Sequence, residues 1–282
     1  MVAVSLQVRR AVHADQRQIA NLMYFEARVH RHLDWRAPLD WLGSSHYWVL
    51  EDGRDVVAAL ACPEDPPGIA WIRLFTCASP LTGLDAWSLL WNTASQEIAA
   101  EGGATSAAIA MHPWFEDILV AGGFQFRQNI IMLEWNDGPP AYVLPEGVHI
   151  RPIHLNDLGT VVEVDATAFD PLWRNSADAL QKALSQALYA TVAETSQGII
   201  GYQLSTAGSL GAHLARLAVR PEAQGAGIGS ALVGDLLAHV RRVRKPHVTV
   251  NTQSDNLSSQ ALYDRMGFLR TGEQYPVFVC KI

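Results

Sequence analysis

The residues with the clearest chemical potential lie in one run, from His213 through Leu214, Arg216 and Arg220 to Gln224, Gly225, Ala226, Gly227, Ile228, Gly229 and Ser230. Leu214 to Val219 reads as a buried strand, and Pro221 ends it because proline supplies no ladder donor. Beyond the tight loop that must follow, Ile228, Leu232, Val233, Leu236, Leu237 and Val240 share one face of a 3.6-residue helix. The glycines therefore stand between a strand end and a helix N-terminus. Exposed N–H groups and the positive helix end attract phosphate at such a place, and glycine lets the backbone approach oxygen atoms that a Cβ would block. The chemistry on offer is the binding of an anionic group.

Spacing separates the phosphate loops that share this physics. A dinucleotide loop needs G-x-G-x-x-G and an acidic residue about 20 positions later, whereas this chain has G-x-G-x-G and Lys245 at that point. A nucleoside-triphosphate loop needs Gly-Lys-Ser/Thr, which is absent here.

The string Gln224-Gly225-Ala226-Gly227-Ile228-Gly229, after Leu217-Ala218-Val219-Arg220-Pro221, resembles the acyl-CoA pyrophosphate loop of GNAT-superfamily acetyltransferases, Q/R-x-x-G-x-G/A. A second segment agrees with it. After the apolar strand His247-Val248-Thr249-Val250, the run from Asn256 through Gln260-Ala261-Leu262-Tyr263 and Arg265 to Met266-Gly267-Phe268 is similar to the helix that follows in the same superfamily. The resemblance covers about residues 148–282. Local physics points the same way: Asp255 or Asn256 can cap the last helix, and Gly267 can take the left-handed C′ conformation. Leu257, Ala261, Leu262 and Met266 are expected to form that helix's core face.

The resemblance implies direct attack of an amine on acetyl-CoA, both bound together, with no covalent enzyme intermediate and no metal. Leu217, Ala218 and Val219 would hold the pantetheine arm as a pseudo-strand, and Gln224 to Ser230 the pyrophosphate. Tyr263 matches the tyrosine that protonates the departing thiolate; a phenol with a pKa near 10 is protonated at neutral pH. Asn256 either holds pantetheine or a water, or caps its helix, and Arg265 either meets a CoA phosphate or lies on a solvated face. The strand glutamate that many members use as a base is missing. His213 is the leading replacement, with Glu163, Asp165, Asp170 or a water relay as the others.

The elements that must position these groups come in two rounds. Val8-Arg9-Arg10 leading to Asp15 is answered 142 residues later by Ile150-Arg151-Pro152 leading to Asp157, and Gly123-Phe124 is answered 144 residues later by Gly267-Phe268. We expect an α/β (α+β) fold of two GNAT-like domains, each a mixed, mostly antiparallel sheet flanked by helices. Their limits are 1–138 and 148–282, joined by a linker at 139–147, where Gly138-Pro139-Pro140 stops both helix and strand. Where the first round should carry a phosphate loop it has Ala78-Ser79-Pro80-Leu81-Thr82-Gly83-Leu84-Asp85, with one glycine and a repelling Asp; Leu119 stands for Tyr263 and His112 for Asn256. The first domain thus reads as degenerate, without a phosphate loop.

Composition sets the outer limits. The 282 residues carry a formal charge of −7, all of it in the first half, so a nucleic-acid partner is not expected, and a cationic acceptor is mildly favoured. No apolar stretch has the ~18 residues needed to span a bilayer, and Met1 to Leu6 does not read as an export signal. Cys62, Cys77 and Cys280 follow no metal or disulfide spacing and suit a reducing, cytoplasmic setting. Eight of the nine tryptophans precede the linker, where they line a pocket or fill a core. The expected function is acetyl transfer to a primary amine of a small molecule. A protein N-terminus is the alternative acceptor, and a non-catalytic acetyl-CoA-binding module the alternative role. Oligomeric state is not legible.

Overall fold

The computed structural model describes residues 6–138, 142–208 and 211–282. Of the expected linker, residues 139–141 lie outside these, as do residues 1–5 of the N-terminal stretch. The first round of elements is β1 (Leu6–Arg10), α1 (Gln16–Phe25), β2 (Arg28–Arg31), β3 (Tyr47–Asp52), β4 (Asp55–Ala61), β5 (Ile69–Trp71), β6 (Leu74–Cys77), α2 (Gly83–Ala100), β7 (Thr105–Ile109), α3 (Pro113–Ala121) and β8 (Gln125–Asn136). The second is β9 (His149–Pro152), α4 (Leu158–Ala168), α5 (Ala177–Gln186), β10 (Tyr189–Thr195), β11 (Gly198–Ala207), β12 (Ala212–Val219), α6 (Ile228–Arg242), β13 (His247–Gln253), α7 (Leu257–Arg265) and β14 (Leu269–Lys281).

By contacts the chain forms two compact units, one of the chain up to Gln128 plus Tyr275–Ile282, the other Asn129–Gln274. In the first, a sheet in the order β1-β3-β4-β6-β2 is accompanied by β5 parallel to β7, and β7 pairs antiparallel with the end of β14. In the second, β9, β10, β11 and β12 run antiparallel, β13 joins β12 in parallel, and β8 lies antiparallel to β13 with β14 on its other side. Both are mixed, mostly antiparallel sheets flanked by helices.

This division departs from the boundaries expected at 139–147. Each unit takes its last strand from the other round: Ile130–Asn136 of β8 pairs with β13, and Val277–Lys281 of β14 pairs with β7. Gly-Pro-Pro marks where an element stops locally, but which ladder a strand joins is decided by non-local hydrogen bonds, which local composition does not report.

The repeat extends into the hydrogen bonding. Arg9 forks onto Asp15 at 2.7 and 2.8 Å and reaches Glu51; Arg151 forks onto Asp157 at 2.7 and 3.0 Å and reaches Glu194. In each case the bonds from Arg hold the aspartate's pKa below the ordinary carboxylate range. Ile69 faces Thr105 across a parallel pair, as Ala212 faces Val248 143 residues later.

The cores follow the patterning. Trp48, Trp87 and Trp91 are buried in the first unit, where Trp87 stacks on Trp91 at 5.4 Å and meets Phe75 edge-on at 5.1 Å. These tryptophans fill a core, with aromatic pairs adding roughly 0.5–1.5 kcal/mol each beyond their area. In the second unit the expected face of α6, from Ile228 to Val240, is buried throughout. Among the described residues no helix is long and apolar enough to cross a membrane.

Candidate functional site

The site begins where β12 leaves its parallel neighbour. Ala212, His213 and Leu214 pair with Val248, Thr249 and Val250, and there the pairing stops, while β12 runs on to Val219 against β11 alone. The register against β11 shifts between Leu204 and Ser205, so that Ala215 is the extra residue of a bulge. A bulge bends its strand and raises its twist, which is how one strand peels from a neighbour. The N–H of Arg220 donates to the Ile200 carbonyl at 2.8 Å, so Arg220 and Ala218 turn their polar groups toward β11. By alternation Leu217 and Val219 turn theirs outward, to the side β13 has vacated.

The strand then enters the glycine loop. Gly225 and Gly227 have φ of +79° and +84°, the left-handed region that a side chain strains, and a Cβ at Gly225 would meet open space. Gly227 caps α6, and among the described residues no hydrogen bond outside the helix engages the N–H groups of Gly225, Ala226 and Gly227. With Ile228, Gly229 and Ser230 in the first turn they present orphan donors at the positive pole of a 15-residue helix. Gln224 acts through its side chain instead. Its amide donates to the outward Val219 carbonyl at 3.0 Å and ties the loop to the strand end. Gln224, Gly225, Ala226 and Gly227 lie at the surface.

Helix α7 is capped by Asn256, whose side chain accepts from the Ser259 N–H at 3.0 Å, and Gly267 takes φ +85° as expected. The expected core face is corrected. Met266 is buried and Leu262 packs half-buried against the core as expected, but Leu257 is 74% exposed and Ala261 is exposed, and Gln260 and Tyr263 are buried in their place. The ring of Tyr263 packs 5.4 Å from that of Phe268 and shares a core with Leu214 and Val250, the residues at the foot of the parting strands. Among the described residues no hydrogen bond engages the Tyr263 hydroxyl, and burial raises its pKa, so it stays protonated. Arg265 lies exposed on the last turn.

His213 lies beside the same foot, its Nδ1 2.9 Å from Thr249 Oγ1, and burial lowers its pKa, which favours the neutral imidazole. Asp165 does not belong with it as a base. It is fully buried and fully engaged: Arg216 donates to it at 2.7 and 2.9 Å, the Tyr202 hydroxyl at 2.5 Å and the Asn175 N–H at 2.9 Å. Arg216 also donates to the Trp173 carbonyl at 2.6 Å and lies 3.5 Å over the Phe169 ring. Glu163 is exposed and pairs with Arg220 at 3.3 Å. The partnership of Asp165 with Arg216, 51 residues apart, left no local signal in the sequence. Asp165→Ala is expected to destabilise the protein by about 3–5 kcal/mol, because Arg216 would keep its buried charge without a partner. Chemical denaturation would read this as a lower midpoint at unchanged slope.

The first unit shows the same strand with its outward edge taken. The Ala78 N–H donates to the Val57 carbonyl at 2.8 Å, so Phe75 and Cys77 turn outward as Leu217 and Val219 do. Against them lie His30 and Arg28 of β2. The following turn is also satisfied from within: Glu26 accepts from the N–H and hydroxyl of Ser79, and Thr82 caps α2 by accepting from Asp85 at 3.1 Å. Leu119, buried, and His112, at the N-cap of α3, take the places of Tyr263 and Asn256.

Residues 158–277 match the family model described as an acetyltransferase (GNAT) domain. The chain carries a GNAT domain. Mycothiol acetyltransferase of Geodermatophilus obscurus is 43% identical over 54 residues, a match that spans 19% of this chain and 18% of that protein. Among solved structures, a tandem GNAT protein from the clavulanic acid biosynthesis pathway superposes with a TM-score of 0.67 at 17% identity, covering 98% of each chain. A GCN5-related N-acetyltransferase from Sphaerobacter thermophilus gives 0.62 at 17% identity, covering 98% of this chain and 95% of that one. At these identities the likeness is one of fold, and it runs across both rounds of elements, beyond the matched GNAT domain itself.

Proposed function

We propose that the second unit is an acetyl-CoA-dependent N-acetyltransferase that acts on a primary amine of a small molecule, donor and acceptor bound together. The observation that carries this reading is the outward edge of Leu217 and Val219 on a strand that has left its neighbour and runs straight into the glycine loop. An extended pantetheine arm adds to such an edge as a further strand, and the pyrophosphate falls on the N–H groups of Gly225 to Gly229. One outward N–H also polarises the thioester carbonyl, where charge grows during attack.

In the reaction the amine nitrogen forms a bond to the acetyl carbon as the carbon–sulfur bond breaks. The thiolate takes its proton from the Tyr263 hydroxyl, which no protein group engages among the described residues. The proton lost by the amine goes to His213, which is kept neutral by burial and so is ready to accept it. Asn256 serves its helix cap in this reading, and Arg265 faces solvent. The first unit is a degenerate partner without a donor site, since β2 and Glu26 occupy from within what acetyl-CoA would need.

The test is release of CoA thiol from acetyl-CoA, followed with a thiol reagent across a panel of small primary amines and a peptide with an N-terminal alanine. Turnover confined to small amines is the expected result. Turnover on the peptide alone would move the acceptor to a protein N-terminus. Binding of acetyl-CoA with no turnover on any member would replace the enzyme by a non-catalytic module. Succinyl-CoA and propionyl-CoA in the same assay fix the acyl group.

A further inference from the structure

The two units carry the same strand with opposite outcomes at its outer edge, and the residues that differ between them lie in one place. The helix before that edge ends equivalently in both: the Glu26 N–H donates to Leu22 O, and the Phe169 N–H to Asp165 O. Leu22 therefore corresponds to Asp165, and the segment that follows, Arg28 to Arg31, corresponds to Pro171 to Arg174. Matching registers make Ala61–Leu74 the counterpart of Leu204–Arg216, and Ala59 the counterpart of Tyr202.

In the first unit those positions are apolar. Leu22, Ala59 and Leu74 are buried in one cluster, and none of the three has a side chain that can bind a backbone carbonyl or N–H. The segment after the helix pairs along β6 as β2, with Arg28 opposite Cys77 and His30 opposite Phe75. In the second unit Asp165, Tyr202 and Arg216 form a buried polar cluster. Arg216 holds the Trp173 carbonyl and Asp165 holds the Asn175 N–H, so both ends of the Trp173–Asn175 stretch are tied to the sheet face rather than its edge. Pro171, standing where β2 has Arg28, has no N–H to offer a strand in any case.

We infer that Asp165, Tyr202 and Arg216, helped by Pro171, are positioning residues that keep the outward edge of β12 open by holding the segment after α4 away from it. Their loss would let residues 171–174 add to β12 as β2 adds to β6, and the protein would close its own donor site. The consequence for acetyl-CoA rests on the reading of that edge as the donor's; the closure itself does not.

Residue-resolved amide hydrogen exchange separates the two. In the wild type the amides of Leu217 and Val219 face outward without a partner strand and are expected to exchange fast. The variant Asp165→Leu/Pro171→Arg/Tyr202→Phe/Arg216→Leu takes the first unit's residue at three of these positions and removes the hydroxyl at the fourth. It is expected to slow exchange at Leu217 and Val219 at least tenfold, and to weaken acetyl-CoA binding at least tenfold in calorimetry. If it does not fold, Asp165→Asn/Pro171→Arg, which keeps the shape at the buried position, is expected to slow the same amides at least threefold. Unchanged or faster exchange at both amides in a folded variant would overturn the inference. Slowed exchange in a protein whose wild type binds no acetyl-CoA would uphold it and overturn the proposed function instead.

Discussion

Replacing Gly227 by glutamate is expected to weaken acetyl-CoA binding at least 100-fold, about 2.7 kcal/mol, with the protein still folded. Two effects add. At φ +84° any side chain strains the backbone, by roughly 1–2 kcal/mol, and the strain falls on the residue that starts α6. The new carboxylate would also stand at the positive pole of the helix, among the orphan N–H groups that the proposal gives to pyrophosphate. Steric exclusion contributes little, because a Cβ there meets only the Pro145 Cγ at 3.6 Å, an ordinary contact. Gly227→Ala separates the effects, since it keeps the strain and omits the charge; it is expected to cost about tenfold. Equal affinities for wild type and Gly227→Glu in calorimetry would remove the loop from the donor site.

Tyr263→Phe is expected to lower kcat by a factor of about 10²–10⁴ while acetyl-CoA affinity and thermal stability stay close to those of the wild type. The separation follows from where the hydroxyl stands. The ring packs against Phe268 and a buried core, and phenylalanine keeps that packing. Among the described residues the hydroxyl makes no hydrogen bond whose loss would be felt in folding. A fall in kcat with an unchanged melting temperature therefore reports the proton delivered to the thiolate. A fall in stability matched by a fall in binding would mark Tyr263 as a packing residue only.

Much of this was legible in the chain. The strand, loop and helix from Leu214 to Val240 depend on local signals, a proline, three glycines and a 3.6-residue stripe, and the structure places them as read. The offset between Arg9 and Arg151 was legible because both arginines serve the same local fork onto an aspartate six residues on. What escaped depended on distant partners. The exchange of β8 and β14 between the units is a choice among ladders, and the Asp165–Arg216 pair joins a helix to a strand 51 residues away. Half of the face of α7, Leu262 and Met266, was legible, and the other half escaped for a third reason: its buried stripe runs through Gln260 and Tyr263, whose polar tips conceal how much of each is buried. Gln260 offsets its burial by donating to the Gln253 and Ser254 carbonyls at 3.1 and 3.0 Å.

In the function we propose, a duplicated fold opens one donor edge, on β12, and closes the other with its own β2. Calorimetric titration of the intact protein with acetyl-CoA tests it most directly. The predicted result is a stoichiometry of one per chain, lost in Gly227→Glu. Two acetyl-CoA molecules per chain, or one that persists undiminished in Gly227→Glu, would contradict it.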